Sequence, residues 1–367
     1  MIGPKAVIHL DRLIKNYDQI RKKLQVSHLM VVVKANAYGH GSVECAKALE
    51  EHGCESFAVF SITEAIELRD AGIKGDILIF SKLNHSYLDL ATKHNITLNI
   101  SNLDDLEIVK RFSKKHNTSP RFHVKFDTGM TRLGLNLDEA EKAFEILHES
   151  NELNYEGLYS HFATADEGDL SYAYEQVKKF KEILIKADSF GLNFKTIHFS
   201  NSGAVLNLNQ DDFNLVRVGM LIYGAYPSRE VPKDVSISPV MEFKAPIVEV
   251  RRVKKGTHIS YGGVYRTDKE CNIGVVQCGF ADGIPRPWYK NGFIGYKGKH
   301  YKIAGRICMD QFMVNFEDDL PREGDEVLIF GSNDFNSISL ETIAEEIEST
   351  PYVIATGIKG RTKLLFS

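Results

Sequence analysis

Between about residue 29 and residue 220 the chain alternates short β-branched or apolar runs with amphipathic segments, and it does so eight times. Each repeat reads as a strand followed by a helix that packs back on the sheet, which dictates parallel pairing. The strands fall at Met30 to Lys34, Ser56 to Phe60, Asp76 to Phe80, Ile96 to Ile100, Phe122 to Phe126, Tyr155 to Ser160, Thr196 to Phe199 and Asn214 to Val218. Eight units in roughly 200 residues favour a closed (β/α)8 TIM-like barrel over an open doubly wound sheet. Ser61 with Glu64 three residues on forms a capping box, and Gly53 and Gly72 stand where helices should stop. A further helix, Asp11 to Leu24, precedes the first strand.

Beyond about residue 235 the pattern changes to short strands separated by glycine and charged turns. Examples are Ala245 to Val253, Cys271 to Cys278, Tyr301 to Ile307 and Glu326 to Phe330, with one helix near Leu340 to Ile347. The expected architecture is α/β, with a barrel over residues 1–234 and a mainly β C-terminal domain over 235–367 on which the first few residues could pack. A chain of 367 residues, 43% hydrophobic and 26% charged, is large enough for two such cores. Its net charge of −4 and lack of a polybasic run argue against nucleic acid or a membrane surface as partner. The stretch from Met1 to Asp11 places charge and Pro4 where a secretory signal would be apolar. Five cysteines, odd in number and without a C-x-x-C pair, point to a reducing compartment and away from structural zinc. A cytoplasmic, metal-free protein is expected.

In a barrel of this kind function gathers at the C-terminal ends of the strands. Strand one ends in Lys34 and runs into Ala35-Asn36-Ala37-Tyr38-Gly39-His40-Gly41. An amine at the end of an apolar strand is partly desolvated, which suits Schiff-base or general-base work, although a lysine snorkelling to solvent explains it equally simply. Strand five leads through Lys125 and Asp127 to Arg132, able to bring a planar donor to a carboxylate, or else to form a surface ion pair. Strand six places Tyr159 and His161 on one side; the histidine could stack on a flat cofactor or be a satisfied structural residue. Strands seven and eight end in His198, Ser200, Asn201, Ser202 and Gly203, and in Arg217, Gly219 and Met220. Small residues there match the usual phosphate site of these barrels, or a tight turn that needs glycine. Together these groups suggest a pyridoxal-phosphate site.

Val33-Lys34-Ala35-Asn36-Ala37-Tyr38-Gly39-His40-Gly41 resembles the cofactor-lysine signature of the alanine racemase family, and the likeness runs over nearly the whole chain. The resemblance implies a pyridoxal 5'-phosphate enzyme interconverting L- and D-alanine, a homodimer with shared active sites, whose D-alanine feeds peptidoglycan. It implies that Lys34 carries the cofactor covalently and that Tyr38 contacts the phosphate. His161 would stand behind the ring, Ser202 with the backbone of Gly219 and Met220 on the phosphate, and His198 would orient Arg217, with Tyr159 in support. Arg217, a permanent cation with no acceptor, cannot pair with a protonated pyridine nitrogen, so the ring nitrogen would stay neutral, a weak electron sink, and the carbanion short-lived, which racemisation needs.

Inversion without moving the substrate calls for an acid/base on each face. By the same resemblance Lys34 serves one face, and Tyr261, in His258-Ile259-Ser260-Tyr261-Gly262-Gly263, serves the other from the partner subunit. Met309, in Gly305-Arg306-Ile307-Cys308-Met309-Asp310-Gln311, would hold the substrate carboxylate through its backbone N–H, and Arg132 would bind it too. Lys125 matches a position often carbamylated, Tyr352 narrows the substrate pocket, and Asp166, Arg286 and Arg306 line the corridor leading in. Phe280 stands where the family usually has tyrosine, and Thr131 where glycine is common, the latter a departure of little weight on the sequence alone. A broad-specificity or serine racemase is the nearest rival. A non-catalytic pyridoxal-phosphate carrier would lack the C-terminal domain, and a decarboxylase of similar build would carry a Gly-rich phosphate loop and a late Cys/Glu segment that are missing here.

Overall fold

A computed structural model describes residues 3–24, 28–208 and 213–367; Met1 and Ile2 of the N-terminal stretch lie outside the described residues. Eight parallel strands form the first sheet: β2 (His28–Val32), β3 (Ser56–Val59), β4 (Asp76–Ile79), β5 (Leu98–Ile100), β6 (Arg121–Lys125), β7 (Asn154–Tyr159), β8 (Thr196–His198) and β9 (Leu215–Val218), while β1 (Lys5–Ile8) lies elsewhere. Their order is β4-β3-β2-β9-β8-β7-β6-β5, so the first and last barrel strands, β2 and β9, are neighbours. The ring closes through a bridge between Leu78 and Thr97, which joins β4 to the residue preceding β5. The architecture is the nearly closed barrel that eight βα units require.

The strands carry near-continuous apolar runs, Leu29 to Val33 and Phe57 to Val59 among them, because helices cover one face and barrel packing the other. Ser61 and Glu64 do form a reciprocal capping box on the helix Ile62–Asp70. Gly53 and Gly72 take positive φ just past helix ends, where a side chain would be strained. The helix expected from Asp11 to Leu24 runs Leu10–Lys23.

The second sheet is mostly antiparallel and runs β15-β14-β17-β10-β1-β19, with β13 and β16 branching from β10 and β18 pairing β17. Its strands are β10 (Met241–Val253), β13 (Cys271–Val276), β14 (Phe293–Tyr296), β15 (Lys299–Lys302), β16 (Phe312–Asn315), β17 (Glu326–Ser332), β18 (Ser337–Ile338) and β19 (Lys363–Phe366), and a small separate hairpin pairs β11 (His258–Ile259) with β12 (Tyr265–Arg266). β1 sits between β10, antiparallel to it, and β19, parallel to it. Thus residues 5–8, numbered with the barrel, pair within this sheet, as the expectation that the first few residues pack on the second domain has it.

Two expectations change. Of the strand read from Tyr301 to Ile307 only Tyr301 and Lys302 fall in β15, followed by a single bridge from Ile303 to Val314, because Gly305 takes positive φ and turns the chain away. A second helix, Pro351–Gly357, follows the expected one at Leu340–Glu346. Among the described residues, no helix is long and apolar enough to cross a membrane.

Candidate active site

At the C-terminal end of the barrel strands lies a cavity of about 570 Å³, lined by Lys34, Tyr38, Lys125, Arg132, Tyr159, His161, Asp166, Ser202, Arg217, Gly219 and Tyr352. Eleven of the residues expected from sequence therefore meet in one place. Sequence reasoning passed over the cavity's apolar wall of Val32, Phe60, Phe80, Met130, Leu133 and Phe162, because nothing in their type marks them as other than core.

β2 ends at Val32, and Lys34 opens a turn in which Ala35, Asn36, Ala37 and Tyr38 all have φ between 51° and 54°. This is a left-handed helical turn of four non-glycine residues, each costing roughly 1–2 kcal/mol. Surrounding groups hold it: Ala35 N–H donates to Glu64 Oε1 (2.8 Å), Ala37 N–H to Val33 O (2.9 Å) and Ser42 N–H to Asn36 Oδ1 (2.9 Å). The turn sends Lys34 and Tyr38 into the cavity together, with Nζ 6.0 Å from the tyrosine ring centre. The helix Pro351–Gly357 packs on its end at Gly39, where a Cβ would come within 2.5 Å of Ala355 O, and so delivers Tyr352 to the cavity with its ring centre 5.8 Å from that of Tyr38.

The cavity wall is cationic. Burial lowers the pKa of Lys34, helped by the charge of Arg132. Burial, with Arg132 and then Arg217 alongside, brings Lys125 down to about 8. Both shifts favour the neutral amine that a nucleophile or base must present. His161 is held neutral by burial and by the neighbouring cations.

Arg217 on β9 is buried in the barrel mouth. Its Nη1 donates to His198 Nδ1 (2.7 Å) and His198 O (3.1 Å), and its Nη2 to Ser160 O (2.8 Å), Phe199 O (3.1 Å) and His161 Nδ1 (3.2 Å). Among the described residues its Nε has no hydrogen-bond partner, leaving one donor for a group in the cavity. His198 therefore does contact Arg217, and its ring also stacks on Tyr159 at 4.6 Å. Gly219 N–H donates to Ser202 Oγ (3.1 Å), and a Cβ on Gly219 would come within 2.6 Å of Tyr38 Oη. Met220 is fully buried next to it and does not line the cavity.

Tyr261, Met309, Arg286 and Arg306 do not reach this cavity within one chain. Tyr261 is 68% exposed and Met309 56%. They share a face, since Ser260 Oγ donates to Arg306 O (2.6 Å) and Phe280 and Ala281 N–H groups donate to Cys308 O and Met309 O (both 3.1 Å). Arg286 and Arg306 line a separate open cavity of about 380 Å³ on that side. Phe280 is partly exposed on the same face.

A strand-end lysine, a buried donor-only arginine and a backbone cradle at the mouth of a parallel barrel, followed by a mostly β domain, define a lysine-centred barrel enzyme. Residues 8–227 match the family described as alanine racemase, N-terminal domain, and residues 240–366 match its C-terminal domain. Alanine racemase 2 of Caldanaerobacter subterraneus subsp. tengcongensis is 36% identical over 369 aligned positions, covering 100% of this chain and 95% of the relative. Among solved structures, alanine racemase of Clostridium difficile 630 superimposes with a TM-score of 0.92 at 34% identity, covering 100% of this chain and 96% of that one. Alanine racemase from Bartonella henselae with covalently bound pyridoxal phosphate gives a TM-score of 0.90 at 25% identity, with full coverage of both chains. The chain belongs to the alanine racemase family.

Proposed function

We propose that this protein interconverts L- and D-alanine, using pyridoxal 5'-phosphate held on Lys34 and acting as a cytoplasmic homodimer with a division near residue 235. The observation that carries the reading is a lysine of lowered pKa facing, across one cavity, an arginine that can only donate. The residues fit the cofactor: Arg217 keeps Nε–H free for a ring nitrogen, and the absent Cβ of Gly219 opens a cradle beside Ser202 Oγ and Tyr38 Oη. Met220 would add its backbone N–H, Tyr352 its hydroxyl, and His161 would back the ring.

When bound, pyridoxal phosphate supplies an electron sink for the bond between the substrate Cα and its hydrogen. Lys34, its pKa lowered by burial, takes or returns the proton on one face. Tyr261 of the partner subunit does so on the other, its exposure within one chain suiting a group that completes a neighbour's site. Arg132 and the backbone N–H of Met309 of the partner subunit bind the substrate carboxylate; Lys125, once carbamylated, gives Arg132 an anionic partner, and Tyr159 stands in support. Asp166, with Arg286 and Arg306 from the partner's face, borders the way in. Arg217 does not protonate the ring, which confines the chemistry to a brief loss and return of one proton. The D-alanine formed suits cell-wall peptidoglycan synthesis.

Chiral chromatography of L-alanine and L-serine after incubation with protein and cofactor tests the reading. D-alanine should form with the wild type, should not form with Lys34→Ala, and should greatly exceed D-serine. D-serine in excess would make the protein a serine racemase, and neither product would end the proposal.

A further inference from the structure

Among the buried titratable side chains that the reaction as described leaves unused, one adjoins the Arg217 network. His123, two residues before Lys125 on β6, points into the barrel below the cavity, 5% exposed. Its Nδ1 lies 2.8 Å from His198 Nε2, and its Nε2 lies 3.5 Å from Thr196 Oγ1.

The proton positions in this chain follow from its first member. A guanidinium has no acceptor, so at 2.7 Å from Arg217 Nη1 the His198 Nδ1 must be bare. A neutral His198 then carries its proton on Nε2 and donates it to His123 Nδ1, which must also be bare, leaving the His123 proton on Nε2. Reversing the chain would set an imidazole N–H against the guanidinium. Protonating His198 would bury a cation beside Arg217, and protonating His123 one beside Arg121, Arg217 and Lys195, with Asp76 and Glu156, both paired to Arg121, as the opposing charges. Burial and those cations bring His123 down to about 3 and hold His198 well below its usual range. The far end of the chain meets a polar floor. A cavity of about 20 Å³, room for one water, borders His123, Thr196 and Thr97, whose buried Oγ1 has no hydrogen-bond partner.

We propose that His123 is a positioning residue: by accepting the His198 Nε2 proton it fixes the tautomer in which His198 accepts from Arg217, and so keeps the guanidinium aimed at the ring-nitrogen site. The inference rests on the cofactor reading above for its purpose but not for its geometry. Without His123 the His198 N–H is buried and unpaired, and the ring gains by flipping or changing tautomer, which turns a donor or a carbon toward Arg217.

The test is 15N NMR of histidine-labelled, cofactor-free protein, with His123→Leu and His123→Gln variants alongside. In the wild type both rings should show bare Nδ1 and protonated Nε2, unchanged between about pH 5 and 8. His123→Gln, whose amide oxygen can accept the same proton, should keep the His198 signal; His123→Leu should lose it or split it between tautomers. In the cofactor-loaded protein, kcat should fall about tenfold in His123→Leu, with KM for alanine within about twofold, and recover largely in His123→Gln. A wild-type His198 protonated on Nδ1, or titrating in that range, overturns the proposal. So does a His123→Leu protein with an unchanged His198 signal. Should His123→Leu not fold, the wild-type spectrum and the glutamine variant still decide. Because the NMR reads cofactor-free protein, failure of alanine racemisation is told apart from failure of the relay.

Discussion

Lys125 is buried with its amine 5.7 Å from the Tyr159 ring centre and cations on several sides. Its folded pKa, about 8, is lower than the roughly 10.4 of an unfolded chain. Between these values the unfolded state binds more protons, so stability rises with pH from about 8 toward 10, and below 8 the full penalty is present. A neutral amine here can add to carbon dioxide, releasing a proton and becoming an anion suited to Arg132. Bicarbonate should therefore raise the melting temperature at pH 8 and add the mass of one carbon dioxide in native mass spectrometry. Lys125→Ala should lose both responses, and equal melting temperatures with and without bicarbonate would rule out the modification. Thr131 carries more weight than its type suggests, because it sits at φ 54°, where a β-branched side chain is strained. Thr131→Gly relieves that strain but adds freedom to the unfolded chain, a net gain of about 0.5–1 kcal/mol. A melting temperature higher by about 1–2 °C is expected; a fall would show that the loop does not need a left-handed residue there.

The left-handed turn after β2 and the loop after β9 meet at Tyr38 and Gly219. A Cβ on Gly219 would stand 2.6 Å from the tyrosine hydroxyl, so Gly219→Ala should weaken cofactor binding about tenfold or more, read by titration of the apoprotein. In a Tyr38→Phe background the same change should cost far less, since the crowding atom is gone; equal losses in both backgrounds would mean the two elements are not in contact. Sequence showed where these elements would be, because strand-end position follows from the βα alternation. It did not show the handedness of the turn: Ala-Asn-Ala-Tyr has no intrinsic preference for positive φ, and only tertiary bonds such as Ala35 to Glu64 impose it. The helix Pro351–Gly357 was legible in principle, since proline favours the first helical turn, but Tyr352 was read for its side chain alone. His123 was legible too, sharing the inward face of β6 with Lys125, yet a lone histidine in a strand carries no signal until its partner is known.

The whole molecule presents Tyr261, Val264, Phe280 and Met309 on one exposed face, while Lys34 and Arg217 lie inside the barrel mouth. Residues so separated can share a site only if two chains exchange faces. Mixing Lys34→Ala protein with Tyr261→Phe protein under conditions that let subunits exchange should restore about a quarter of wild-type activity, because half the dimers are mixed and each holds one intact site. No recovery despite demonstrated exchange would place Tyr261 outside its neighbour's site. The barrel and the mainly β second part were both legible from periodicity, which reports how each segment is buried. The pairing of residues 5–8 with strands more than 230 positions away was not, since a four-residue strand carries no mark of its partner.

That pairing sets an order of events on the ribosome. β1 emerges before every barrel strand, yet its antiparallel neighbour β10 starts at Met241 and its parallel neighbour β19 at Lys363. At about 5–20 residues per second, tens of seconds pass during which the barrel's own strands are all synthesised while β1 has no one to pair with. The nascent chain thus carries an open edge until Lys363–Phe366 arrive, and a message cut short between β10 and β19 would release a chain with the barrel encoded in full and that edge uncovered.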